Sequence, residues 1–146
     1  MEKKTILITG ASGGMGTAMA SWISNGPYRL VLHYFDHLPG IAESQDIYHV
    51  KADLRNLDDI KTLVTQLNDQ FGGIDVLINN AGISRSAMAW KVTDEDWGDT
   101  MAINLNAPFY LSKGFIPGMR QQKFGRIINI SSVVAQTGNA GTSDEI

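Results

Sequence analysis

The sequence predicts an α/β fold, a parallel sheet carrying helices on both of its faces. Three observations predict it. Apolar runs of strand length alternate with helical patterns, the runs are continuously apolar as doubly covered strands must be, and glycines cluster where the first run meets the first helix. A chain of 146 residues has the length of one domain and buries roughly 70% of the surface its unfolded form exposes. We read residues 1–146 as a single unit, without repeat, low-complexity tract or linker.

The first strand is expected at Thr5 to Thr9, an apolar run too short for a signal segment or a membrane span. Next, Met15, Ala18, Met19, Trp22 and Ile23 recur at helical spacing and predict one apolar helix face ending near Asn25-Gly26-Pro27. Leu30 to Tyr34 and Ile47 to Lys51 follow as strands. The second helix opens with Asn56 as N-cap and Asp58 and Asp59 in its first turn, turns Leu57, Ile60, Val64, Leu67 and Phe71 inward, and stops at Gly72-Gly73. Ile74 to Asn79 is the fourth strand. Thr93 with Asp96 resembles a capping box, from which helix is expected to about Gln122 despite Pro108 and Pro117. Arg126 to Ser131 is the fifth strand. Right-handed crossovers and a reversal after the third strand predict the order 3-2-1-4-5.

Charge and composition limit the partners. Twelve Lys plus Arg against fifteen Asp plus Glu, with no block of one sign, argues against nucleic-acid or membrane surfaces. Small molecules or copies of the same chain are expected instead. The absence of cysteine excludes disulfides, thiolate catalysis and cysteine-ligated metal, and fits a cytoplasmic protein; no metal site is expected.

The first strand runs into Thr9-Gly10-Ala11-Ser12-Gly13-Gly14-Met15-Gly16 as a helix begins. Glycines here permit a tight turn and bring bare backbone against a pyrophosphate, whose charge a helix N-terminus favours. Gly10, Gly14 and Gly16 with Ser12, Gly13 and Met15 are therefore candidate phosphate-binding residues, with the N–H groups of Ser12 to Met15 as donors. The spacing is Thr-Gly-x-x-x-Gly-x-Gly, because Met19 stands where the commoner dinucleotide fingerprint has its last glycine.

Further motifs stand in order behind this turn: Asn79-Asn80-Ala81-Gly82, Asn104 within Met101-Ala102-Ile103-Asn104-Leu105, and Gly125-Arg126-Ile127-Ile128-Asn129-Ile130-Ser131-Ser132. Together they resemble the classical short-chain dehydrogenase/reductase family, nearest to its 3-oxoacyl-carrier-protein-reductase-like members, over essentially the whole chain. The resemblance implies a Rossmann-type fold and hydride transfer between NAD or NADP and an alcohol or carbonyl substrate. It implies that Asp53 and Leu54 cradle the adenine, that Asn80, Ala81 and Gly82 line the ribose side, and that Asn79 braces strands. It also implies that Ser132 is the serine holding the substrate carbonyl and that Asn104 is the helix asparagine of the catalytic set. Cofactor preference is expected at the end of the second strand, where Tyr34, Phe35 and Asp36 are candidates. Asp36 lies about 20 residues beyond the glycine turn, as a ribose-binding carboxylate should, although Tyr34 is an alternative occupant of the acidic position. Gly13 replaces the basic residue of many NADP-preferring members, and the balance favours NAD.

One family element has no counterpart. Spacing from Ser132 puts the family's catalytic tyrosine, in Tyr-x-x-x-Lys, at Glu145, and no Tyr-x-x-x-Lys occurs in the 146 residues. A glutamate with a pKa near ~4.3 is a poor proton donor to an alkoxide at neutral pH. The family-like text holds to Ser143 and breaks at Asp144-Glu145-Ile146, as a frameshift, a premature stop or an artificial boundary would make it. The expectation is a sheet truncated after the fifth strand, incomplete at the C-terminus and inactive as it stands, with a non-catalytic dinucleotide-binding or subunit-interaction role as the alternative. A small-molecule substrate is expected only of a complete homologue, and homo-oligomers are expected.

Overall fold

The computed structural model describes residues 3–138. Five parallel strands, β1 (Lys4–Ile8), β2 (Tyr28–Tyr34), β3 (Ile47–Lys51), β4 (Val76–Asn79) and β5 (Arg126–Asn129), form one sheet in the order β3-β2-β1-β4-β5. This is the predicted order. Register is set by the hydrophobic pattern, with Leu7 opposite both Val31 and Leu77, and Ile8 opposite Leu32 and Ile78. Because successive side chains alternate across a sheet, a continuous apolar run feeds two cores. Leu7, Val31, Val50 and Leu77 pack under the helices α2 (Leu57–Phe71) and α4 (Ala107–Gln121). Ile6, Ile8, Leu30, Leu32 and Ile78 pack on the other face under α1 (Gly14–Ile23). Each fully buried large side chain contributes about 1.5–3 kcal/mol, and Leu7, Ile8, Leu30, Val31 and Leu32 place most of those of the sheet on β1 and β2.

The helix α2 follows its capping signals closely, but its buried face is Ile60, Leu63 and Leu67 with Val64 and Phe71 partly covered, so Leu63 joins the expected set and Leu57 stays outside the core. Asn56 accepts from the N–H groups of Asp58 and Asp59, and Gly72 closes the helix at φ 72°. The face of α1 differs from expectation. Met19 and Ile23 pack on the sheet, but the contact line is completed by Gly16 and Ala20, while Met15, Ala18 and Trp22 face away and Trp22 is 82% exposed. The cause is proximity. A Cβ on Gly16 would lie 2.3 Å from the Gly10 carbonyl oxygen and 2.8 Å from the Ala11 Cα, so only small residues fit where the helix meets the turn.

The long helical stretch after Thr93 is interrupted. The helix α3 (Asp94–Met101) passes through a π-helical turn at Ala102–Asn106 into α4. Pro108 has no N–H for the carbonyl of Asn104 four residues before it, so the regular helical bond cannot form there. Thr93 caps α3 by accepting from Asp96 N–H at 3.0 Å and donates its hydroxyl to the Asp96 carboxylate at 2.9 Å, in place of a reciprocal backbone bond. Beyond β5 comes the single-turn α5 (Val134–Thr137). Among the described residues β5 is an edge strand, and Ile128 is 45% exposed. No described helix is long and apolar enough to cross a membrane.

Candidate functional site

Two clefts open along the C-terminal ends of the strands, as expected where the strand order reverses in such a sheet. The first encloses about 530 Å³ and is lined by the glycine turn, the end of β2, Asp53 to Arg55, Asn80 to Ile83, and Asp99 and Ile103 from the α3 side. The second encloses about 580 Å³ between Asn79 to Ser84, Asn104, Leu105 and Pro108, and Asn129 to Ser132. Asn80, Ala81, Gly82, Ile83 and Ile130 line both, so the clefts share one wall.

The glycine turn is held from three sides. Gly10 takes φ +63°, and a Cβ there would lie 2.8 Å from the Ala81 Cα, which leaves glycine as the residue that fits. The Thr9 hydroxyl accepts from the N–H groups of Asn80 and Ala81, each at 3.0 Å, and the Asn80 amide donates to the Thr9 and Gly10 carbonyls at 2.9 and 3.2 Å. His33, on β2, supplies the third hold. Its Nδ1 accepts from Gly10 N–H at 3.2 Å, and its carbonyl accepts from Ala11 N–H at 2.8 Å.

Gly13 N–H turns inward onto the Gly10 carbonyl at 3.2 Å, which removes it from the expected donor set. Among the described residues no hydrogen bond is made by the N–H of Ser12, nor by those of the first turn of α1 at Gly14 and Met15, which a helix cannot satisfy internally. A Cβ on Gly14 would meet nothing within 4 Å, so the space beside these donors is open. That geometry fits a pyrophosphate: donors converge at a helix N-terminus across bare backbone.

The other end of the cleft is polar and charged. Arg55 binds both carboxylate oxygens of Asp53 at 2.8–3.2 Å and reaches Asp99 at 3.3 Å, while its guanidinium lies 5.1 Å from the centre of the Phe35 ring. Hydrogen bonding to Arg55 holds Asp53 below the ordinary carboxylate range, with partial burial opposing, and the two carboxylates raise Arg55 above its usual value. Leu54 supplies an apolar floor. Of the residues expected at the end of β2, Phe35 and Asp36 line the cleft. Tyr34 does not. Its ring stands edge-on to His49, with centroids 6.4 Å apart, outside the cleft that Asp36 lines.

In the second cleft Asn104 sits within the π-helical turn, where its side chain accepts from Ile83 N–H and donates to the Ile83 carbonyl, both at 2.9 Å. The bent helix is thereby fastened to the loop after β4. Ser131 and Ser132 line the same cleft beyond β5, and the Ser132 hydroxyl accepts from Val134 N–H at 3.3 Å. Asn79 donates to Asn129 across β4 and β5 at 2.8 Å, as a brace should. Glu145, where the family spacing places its acid, lies outside the described residues.

Two residues that matter to the first cleft are not singled out by any motif. His33 is a polar residue inside an apolar run, a signal that its nitrogens must find partners when buried. Arg55, two residues beyond Asp53, offers only its proximity to a carboxylate.

A family model described as short chain dehydrogenase matches residues 4–144. The chain is similar to the 3-oxoacyl-(acyl-carrier-protein) reductase FabG of Haemophilus influenzae, at 37% identity over 151 residues, and of Vibrio cholerae, at 34% over 156 residues; in both cases 99% of this chain and 61% of the relative are covered. The corresponding protein of Staphylococcus aureus is 31% identical over 151 residues, covering 98% of this chain and 61% of the relative. The chain thus spans about 61% of the length of the curated relatives it matches.

Proposed function

The chain belongs to the short chain dehydrogenase family, and on that premise we propose that its first cleft holds a nicotinamide dinucleotide, with the pyrophosphate on the turn from Gly10 to Gly16. The observation that carries this reading is the open space at Gly14 beside the N–H groups of Ser12, Gly14 and Met15, which make no hydrogen bond among the described residues. Asp53, Leu54 and Phe35 frame the adenine end, and Asn80 to Gly82 the passage toward the second cleft. NAD is preferred over NADP. Asp36 favours ribose hydroxyls and repels a 2′-phosphate, Arg55 is already held by Asp53 and Asp99, and Arg85 pairs with Asp96.

A bound nicotinamide supplies or accepts hydride at the substrate carbon. The chain's own residues then position and exclude. Ser132 donates a hydrogen bond to the substrate oxygen and fixes it in place, an electrostatic and positional role in which the hydroxyl neither attacks nor protonates. Asn104 holds the shared wall through Ile83. The substrate is an alcohol or carbonyl compound, and the names of the relatives make a 3-oxoacyl thioester the first class to try.

Transfer of a proton to the forming alkoxide needs a donor poised near neutral pH. A polypeptide of these 146 residues contains no Tyr-x-x-x-Lys, and this favours a second reading of it as a dinucleotide-binding or subunit-interaction module without turnover. Calorimetric titration with NAD, NADP and ADP-ribose tests the binding. NAD and ADP-ribose are expected to bind with similar affinity and NADP more weakly; no binding of any of the three would refute the reading. Turnover with NADH or NADPH on a 3-oxoacyl thioester is expected to lie about 10²- to 10⁴-fold below that of a member with the tyrosine. Turnover near that of such a member, abolished by Ser132→Ala, would refute the module reading.

A further inference from the structure

His33 stands apart from every family motif named above, yet its ring joins the two halves of the nucleotide cleft. The side chain is 2% exposed. Its Nδ1 faces the N–H of Gly10 at 3.2 Å, and its Nε2 lies 3.1 Å from the carbonyl of Ala52, the residue immediately before Asp53. A backbone N–H can only donate and a carbonyl can only accept, so these partners fix the tautomer. The proton sits on Nε2, and Nδ1 presents a lone pair to the glycine turn. One neutral imidazole therefore ties the phosphate end of the cleft to the adenine end.

Resting on the nucleotide-binding reading, we infer that His33 is a positioning residue for the dinucleotide, one that holds the phosphate turn in its binding shape only while the ring is neutral. A second proton must go to Nδ1, where it meets the Gly10 N–H. Two donors then face each other, and the turn bearing Ser12, Gly14 and Met15 moves off its hold. Burial opposes that proton and keeps the ring neutral at physiological pH, while the nearby Asp53 carboxylate works the other way. Of the elements around the ring, the glycine turn brings no charged group, and Val50 is its register partner on β3. The loop after β3 brings Asp53 with Arg55 bonded to its carboxylate and Asp59 to its N–H, and Asp36 and His37 line the same cleft.

NAD titration between about pH 5 and about pH 7.5 tests this, because its pyrophosphate carries no group that titrates in that range. Wild-type affinity is expected to fall roughly tenfold toward the acid end with the far-UV circular dichroism unchanged, the scale of one buried hydrogen bond turned repulsive. His33→Gln keeps an acceptor and a donor but cannot be charged, so its profile should be flat, near the wild-type neutral affinity. His33→Leu should bind weakly at both ends. If the leucine variant does not fold, the wild-type and glutamine profiles still decide the matter. A flat wild-type profile, an affinity that rises in acid, or a fall that persists in His33→Gln would each overturn the inference. Failure of wild type to bind NAD at about pH 7.5 would instead overturn the nucleotide-binding reading beneath it.

Discussion

The two clefts share a wall but are built differently. Around the first, the binding backbone hangs from central strands: Thr9, His33 and Asn79 at the ends of β1, β2 and β4 are all buried, and the turn is bonded to each neighbouring strand. Around the second, Ser132 stands exposed beyond an edge strand, and among the described residues its hydroxyl keeps one weak bond, to its own loop. Asn104 is the exception there, tied doubly to Ile83. The difference teaches that the first cleft is walled by preorganised backbone, whereas the serine of the second is a side chain that its surroundings hold loosely. On the proposed reading, dinucleotide binding is the property that the first cleft serves.

Two glycines of the same turn sharpen the contrast most. Gly16→Val places a Cβ against the Gly10 carbonyl and Ala11 backbone, and should cost more than about 3 kcal/mol, removing the cooperative thermal transition. Gly14→Val meets no protein atom and should melt within about 1 kcal/mol of wild type, yet lose NAD binding by roughly 100-fold or more in calorimetry, because its side chain occupies the phosphate's place. Equal loss of folding in both would break the distinction between glycines that shape the turn and those that admit the ligand.

In the second cleft, Asn104→Ala removes a two-bond fastening and leaves the Ile83 backbone without its partners, which should lower stability by about 1–3 kcal/mol in urea unfolding. Ser132→Ala should change it by less than about 0.5 kcal/mol. A serine variant as destabilised as the asparagine one would show that the second cleft is as tightly built as the first.

Stability should also register the buried imidazole. Unfolded His33 takes up a proton near pH ~6.5, whereas the folded ring, desolvated, does so only at lower pH. Between those values the unfolded chain holds the extra proton. Stability therefore falls as pH falls through that window, and the fall should be absent in His33→Gln when thermal transitions are compared across it.

The smallest effect is expected at the edge. Ile128 and Ile130 on and after β5, with Phe109 and Ile116 on α4, leave apolar surface exposed, and an edge strand offers unpaired backbone to another chain. A polypeptide of these residues should self-associate, and Ile128→Lys should shift light-scattering mass toward monomer. A wild-type chain that is monomeric at millimolar concentration would show this edge to be harmless.

The sheet and α2 could be read in advance because their signals are local and large: continuous apolar runs, an Asn56 cap, a Gly72 stop. The face of α1 could not, since Gly16 and Ala20 contribute closeness and no hydropathy, while Met15 and Trp22 supply hydropathy that the fold leaves outside. In the same way, the spacing of Gly10 to Gly16 predicts a tight strand-to-helix turn, but the inward turn of the Gly13 N–H is decided by backbone dihedrals that spacing does not fix. The π-helical turn goes with Pro108 and with the bonds of Asn104 to Ile83, which lies 21 residues before that asparagine. Arg55 and His33 needed the same long-range information, because what makes them parts of the cleft are Asp99 and Gly10, brought near only by the fold.

The bond from the Thr9 hydroxyl to Asn80 N–H spans 71 residues. On a ribosome the chain emerges from its N-terminus at about 5–20 residues per second, so the glycine turn is made several seconds before the strand that locks it. Until β4 has been synthesised and has slid in beside β1, the nascent turn has glycines but no binding shape. On the proposed reading, nucleotide capture is therefore a late event in the birth of this chain, and the ligand would clasp together segments made several seconds apart.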